Sequence, residues 1–168
     1  ILPLYIFFNS LLAILPTGTP SLLPQPTTTN TISPVSSAAI PSVYTLTASL
    51  DYAAHMLLVG ETIVYRNSTG VPLTGLVLAV EPNLQTGCFI LGSLTVNGLA
   101  ADFALDGDRL EVSLDTLLAP QGTLTLFLQF SLDLPATDSL QLFGYNDRQV
   151  TLVDWYPFVV PYDTVKGW

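Results

Sequence analysis

The chain has 168 residues; 49% are hydrophobic, only 10% are charged, and the net charge is −9. Ordinary soluble domains hold roughly 25% charged residues, so there is ample material here for a core and little for a solvated surface. Four Lys and Arg residues in total supply no basic stripe, which excludes nucleic acid as a partner and disfavours an anionic membrane surface. The single cysteine, Cys88, excludes an internal disulfide, so packing must carry the fold.

Residues 1–15 (ILPLYIFFNSLLAIL) are an apolar run. Its length matches a signal-peptide hydrophobic region, about 7–15 residues, and falls short of the roughly 20 that span a membrane. It reads as an export signal or membrane anchor, with a buried strand or helix of the domain as the alternative. Residues 16–41 are rich in Pro, Thr and Ser. Such a composition buries too little apolar surface to offset ordering entropy and reads as a disordered linker or stalk. The first charged side chain is Asp51. This order predicts an exported protein, extracellular or membrane-anchored, with its folded domain over 42–168.

From Val43 the hydrophobic period becomes two. Tyr44, Leu46, Ala48, Leu50 and Tyr52 alternate with Thr45, Thr47, Ser49 and Asp51, which predicts a half-buried strand. Further strands are expected over Leu57–Arg66, with Gly60 as a bulge or close-approach point, over Leu73–Val80 and over Phe89–Val96. Asn97-Gly98 and Asp106-Gly107 are turn signals, because these residues tolerate positive φ. After the second turn, Leu110, Val112 and Leu114 face one way and Glu111, Ser113 and Asp115 the other. The longest predicted strand is Thr123–Leu134, where Leu124, Leu126, Leu128, Phe130, Leu132 and Leu134 make one apolar face and Phe127 breaks the polar one. Gln149–Val153 adds another. Close-spaced strands and repeated turns predict an all-β fold, an antiparallel curved sheet or β-sandwich.

The carboxy-terminal stretch 154–168 (DWYPFVVPYDTVKGW) is dense in aromatics and prolines. Prolines lack the N–H that a central ladder needs, so the stretch is expected to form a rigid, extended lobe. Each large ring can bury on the order of 150–250 Å². Trp155, Tyr156, Pro157, Phe158, Pro161, Tyr162 and Trp168 are therefore read as an interdomain surface. The alternative is that the rings fold back onto their own sheet.

Little in the chain points to chemistry. His55 is the only histidine, so neither a zinc site built on several imidazoles nor a Ser-His-Asp set has its parts, and no G-x-S-x-G elbow occurs. His55 is expected as a solvated turn residue and Cys88 as a buried, inert thiol. Asp106 and Asp108 flank a turn glycine, where Asp is expected for backbone reasons, with a calcium pair as the alternative. Asn67-Ser68-Thr69 fits a glycosylation acceptor as well as a short turn. No catalytic residue and no metal ligand is assigned to this chain.

Several segments taken in order resemble the amino-terminal domain of the aminopeptidase N family of zinc metallopeptidases, bacterial exported members most of all. They are 44–51 (YTLTASLD), 58–67 (LVGETIVYRN), 73–83 (LTGLVLAVEPN), 94–98 (LTVNG) and 119–122 (APQG), followed by Phe143-Gly144, 154–157 (DWYP), 161–163 (PYD) and Gly167-Trp168. The resemblance covers 42–168. It implies a curved β domain that packs against a catalytic domain and walls one side of a peptide cleft. The family's H-E-x-x-H zinc helix, distal Glu ligand and G-x-M-E-N-type loop do not occur here and would follow Trp168. Zinc is thus expected in that missing catalytic domain of the same polypeptide, with no cofactor in this chain and a peptide as substrate of the whole protein. Relatives place a Gln or Glu of this domain near the substrate's free amine, and Gln149 lies in the corresponding region. Two other classes remain: a stand-alone, surface-anchored β-sandwich that binds glycan or peptide, and an adhesin- or chaperone-like sandwich that accepts a partner strand.

Overall fold

A computed structural model describes residues 4–5, 42–137 and 143–168. The expectations for residues 1–15 and 16–41 therefore lie outside the described residues, apart from Leu4 and Tyr5. The fold is all-β and antiparallel, a sandwich of two larger sheets with a small third one. The strands are β1 (Leu4–Tyr5), β2 (Val43–Asp51), β3 (Met56–Arg66), β4 (Leu73–Ala79), β5 (Phe89–Val96) and β6 (Leu99–Ala100). They continue with β7 (Phe103–Asp106), β8 (Arg109–Leu118), β9 (Thr123–Asp133), β10 (Phe143–Tyr145), β11 (Val150–Leu152) and β12 (Phe158–Val159). One sheet has the order β1-β2-β3-β9-β5-β6, the second β12-β4-β8-β7, and β10 pairs with β11 alone.

Alternation decides which side chains enter the core. On the inner face of the first sheet the register lines up rungs such as Tyr44–Ile63–Leu126–Val96 and Ala48–Val59–Phe130–Leu91. On the second sheet Leu76 lies opposite Val112, and Leu78 opposite Leu110. These faces share one hydrophobic core, in which Ile63, Leu78, Leu110, Leu126, Leu128 and Leu132 are fully buried. A fully buried side chain of this size is worth about 1.5–3 kcal/mol, and nearly all of them come from strands with strict period-two patterning.

Phe127, the exception on the outer face of β9, has a reason. Its ring lies over Gly60, where an added Cβ would be 3.8 Å from it, so the ring covers backbone that has no side chain of its own. Gly60 is a close-approach point and not a bulge, since β3 runs in unbroken register with both neighbours. The irregularities fall instead at Gly92, between Leu91 and Ser93, and between Leu73 and Gly75. Asn97 and Gly98 adopt φ of 51° and 82°, the tight hairpin turn that their sequence predicts.

Four short strands, β6, β7, β10 and β12, were not legible as alternation. A 3₁₀ turn at Glu81–Leu84 bridges β4 and β5. Among the described residues β5 has a partner on its outer side only at Thr95 and Val96, so part of one long strand keeps an open edge.

Candidate interface built by the carboxy-terminal aromatic segment

After β11 the backbone turns at Asp154, with φ of 51°, and crosses to the second sheet. Pro157 is fully buried there. Phe158 and Val159 then pair with Ala79 and Leu78 as an edge strand, the position a proline-flanked strand can occupy. Two further bonds seat it: Val160 N–H donates to Val77 carbonyl oxygen at 3.0 Å, and Val159 N–H donates to the Tyr44 hydroxyl at 3.1 Å.

The last residues form a small closed loop. Asp163 and Gly167 exchange both backbone hydrogen bonds at 2.8 Å. The Asp163 carboxylate also accepts from Val165 N–H and Lys166 N–H, each at 2.8 Å. Those N–H groups favour the ionised form and hold the Asp163 carboxyl below its ordinary range. Gly167, with φ of 80°, ends the loop and returns the chain so that Trp168 meets Tyr162 edge-on at 5.0 Å and Tyr65 at 6.5 Å.

A second group of rings sits around β2. Tyr156 packs edge-on against Tyr44 at 6.2 Å, and Trp155 against Tyr156 at 5.5 Å. Trp155, Tyr156, Phe158, Tyr162 and Trp168 are each half-buried, while Pro161 is exposed. The rings thus rest on their own core and still present part of their surface to solvent.

Next to Tyr44, which holds Val159 and Tyr156, lies a group that the sequence reading passed over. Glu61 is fully buried, and neither of its carboxyl oxygens has a hydrogen-bond partner. Its rung across the sheet is Leu46–Glu61–Leu128–Leu94. Burial alone pushes its pKa up to about 8, because a carboxylate loses its hydration and gains no compensating partner. Burial also raises the Tyr44 phenol, with the Val159 N–H acting in the opposite direction and Glu61 adding a smaller upward push. The signal for Glu61 was present as parity: 57, 59, 61, 63 and 65 are all inner-face positions.

The other expected residues have plain placements. Gln149 is exposed in the β10–β11 turn, where its backbone N–H donates to Asn146 Oδ1 at 3.1 Å and its side chain to Thr151 Oγ1 at 3.2 Å. The Tyr52 hydroxyl donates to Asn146 carbonyl oxygen at 3.0 Å. Tyr52 and Tyr44 lie about 26 Å apart along the strand direction at ~3.3 Å per residue, so Gln149 and the ring cluster sit toward opposite ends of β2.

His55 is half-buried and stacked on Tyr145 at 3.4 Å, which corrects its reading as a solvated residue. Cys88 is buried, and burial together with Asp133 pushes its thiol up to about 11. Asn67 is fully buried; its amide donates to Val71 and Leu118 carbonyl oxygens at 2.7 and 2.9 Å. With no free face on that amide, the glycosylation reading is overturned. Among the described residues no three His, Cys, Asp or Glu side chains converge on a point that could hold a metal ion.

No protein-family model matches the chain, and no curated protein matches it. Solved structures of M1 zinc metallopeptidases do. One from Deinococcus radiodurans, bound to a Tyr-Ser-Ala substrate, is 20% identical with a TM-score of 0.40, over 50% of this chain and 18% of that one. A two-domain M1 zinc metallopeptidase bound to L-tryptophan is 19% identical with the same TM-score, over 52% and 18%. The chain thus spans less than a fifth of the length of the structures it matches.

Proposed function

We propose that residues 42–168 are the non-catalytic β domain of an exported zinc metallopeptidase of the aminopeptidase N type. In this reading the aromatic segment 155–168 packs against the catalytic domain of the same polypeptide, and the sandwich walls one side of its peptide cleft. Zinc and the chemistry of peptide hydrolysis belong to that neighbour; this chain contributes shape and surface.

The observation that carries the proposal is the half-covered ring surface. Five large aromatic side chains lie within one 14-residue stretch and are each only partly buried, and large partly exposed apolar patches commonly mark interaction surfaces. The ordered set of segments from Tyr44 to Trp168, with its resemblance to the aminopeptidase N family, supports that use.

Three measurements test it. The reading frame beyond Trp168 should encode an H-E-x-x-H helix with a distal Glu ligand, and its absence removes the peptidase assignment. Trp155→Ala should weaken association with that catalytic domain more than it lowers the stability of this chain. An equal loss in both would mean that the ring serves its own core. Alone, residues 1–168 should release no amino acid from peptides in the presence of zinc; zinc-dependent release would also overturn the reading.

A further inference from the structure

Glu61 occupies the middle of β3, which is paired along its length with β2 on one side and β9 on the other. Tyr44 from β2 is the titratable group that interacts with Glu61. Tyr65, on the same face of β3, and Tyr156 from the aromatic segment each interact with Tyr44 in turn. β9 and the opposing sheet offer only aliphatic and Phe side chains, among them Leu126, Leu128, Phe130, Leu78 and Leu110. Burial is uneven across its rung. Leu128 is 0% and Leu94 4% exposed, whereas Leu46 is only half-buried. The thin side is therefore β2, and near that side Tyr156 and Val159 are fastened to Tyr44.

We infer that Glu61 is a protonation-controlled latch for the aromatic segment. With the acid neutral, segment 155–168 stays seated on β2 and β4; once the carboxylate forms, the segment lifts and water reaches Glu61. An unpaired carboxylate in an aliphatic interior costs several kcal/mol, so ionisation selects whichever opening hydrates it at least cost. Opening β3 itself would break two full strand pairings. Lifting the segment breaks a two-residue edge pairing, the Val160 bond to Val77 and the Val159 bond to Tyr44, and uncovers Pro157 and the core-facing sides of the rings, while the long β2–β3–β9 ladders stay intact. Local openings of this kind lie far below global unfolding in free energy. The latch concerns this chain alone and stands whatever the segment docks against.

The chain carries its own reporters. Both tryptophans, Trp155 and Trp168, lie in the segment, so their emission follows the latch while far-UV circular dichroism follows the sheets. Titrating the full chain from about pH 5 to 9, below the phenol range, should shift the emission to the red. The midpoint should lie above the ordinary carboxyl value of 4.5 and no higher than about 8, with the strand signal unchanged. Glu61→Gln should abolish the shift, and Glu61→Leu should do the same if the Gln variant fails to fold. Trypsin should cut after exposed Lys166 faster in the natural chain than in the variant at the alkaline end. No shift in the natural chain, an equal shift in the variants, or loss of the strand signal together with the emission change would each overturn the latch.

Discussion

Replacing Glu61 by leucine should stabilise the domain, and by an amount that grows with pH. The group's pKa is raised from 4.5 to about 8 by burial. Below pH 4.5 the acid is protonated in both folded and unfolded chains, and stability is at its full value. Between 4.5 and about 8 only the unfolded chain ionises. The folded state then binds more protons, and stability falls as pH rises. Above about 8 both states are ionised and the loss is complete. At roughly 1.4 kcal/mol per pH unit the full loss is about 5 kcal/mol, and about 3 kcal/mol of it is present at pH 7. Leucine matches the side chains of its own rung, Leu46 and Leu128, and removes the unpaired acid as well. Exchange of a buried charge for a well-packed aliphatic is commonly neutral or stabilising. Urea unfolding should therefore show a natural chain that loses about 1 kcal/mol per pH unit between pH 5 and 8, and a Glu61→Leu variant with a flat profile. Lifting of the aromatic segment would cap the loss at the cost of that opening. A variant that is less stable at pH 9, or that keeps the natural slope, would refute the account of Glu61 as a buried, unpartnered acid.

Other residues carry separate predictions. Gly144 has φ of 131°, and an added Cβ would lie 2.5 Å from the Pro135 carbonyl oxygen; Gly144→Ala should cost about 2–4 kcal/mol in thermal or urea unfolding. Asn67→Ala leaves the Val71 and Leu118 carbonyls without their donor and should cost about 3 kcal/mol. Secretion of the natural chain from a glycosylating host should leave its mass at Asn67 unchanged. Cys88, buried with its thiol pushed up to about 11, should resist a thiol reagent at pH 8 until denaturant is added. Prompt labelling of the folded chain would show that the site opens readily.

The sandwich was legible where a strand has one wet and one dry face. The expected limits of β2, β3, β5 and β9 agree with the structure to within about a residue, because period-two contrast and the Asn97-Gly98 turn both act locally. The strands that escaped, β6, β7, β10 and β12, are two to four residues long, too short for alternation to register. Asn67 kept two readings open for a different reason: its partner Leu118 lies 51 positions away, so nothing in Asn67-Ser68-Thr69 itself shows that the amide is already used. Gly60 was read as a bulge or a close-approach point, since a glycine within a strand pattern marks either. What explains it is Phe127, on the neighbouring strand.

Glu61 shows how parity outweighs polarity. A lone acid in an apolar alternation is easily taken for a solvent-facing residue. Yet Leu57, Val59, Ile63 and Tyr65 fix the inner face, and a one-residue slip that released Glu61 would expose all four. The sheet register therefore forces the carboxyl inward against about 5 kcal/mol of ionisation penalty at alkaline pH. Burial of those four side chains, at about 1.5–3 kcal/mol each, exceeds that penalty. The sandwich can carry the cost without refolding, and relief comes most cheaply where its cover is thinnest: on the β2 side, where Leu46 is only half-buried and Tyr44 holds the aromatic segment. An isolated buried acid on an outer strand would merely weaken a fold. Placed on β3 beside Tyr44, the phenol to which Val159 and Tyr156 are fastened, it couples proton binding to how that surface is presented.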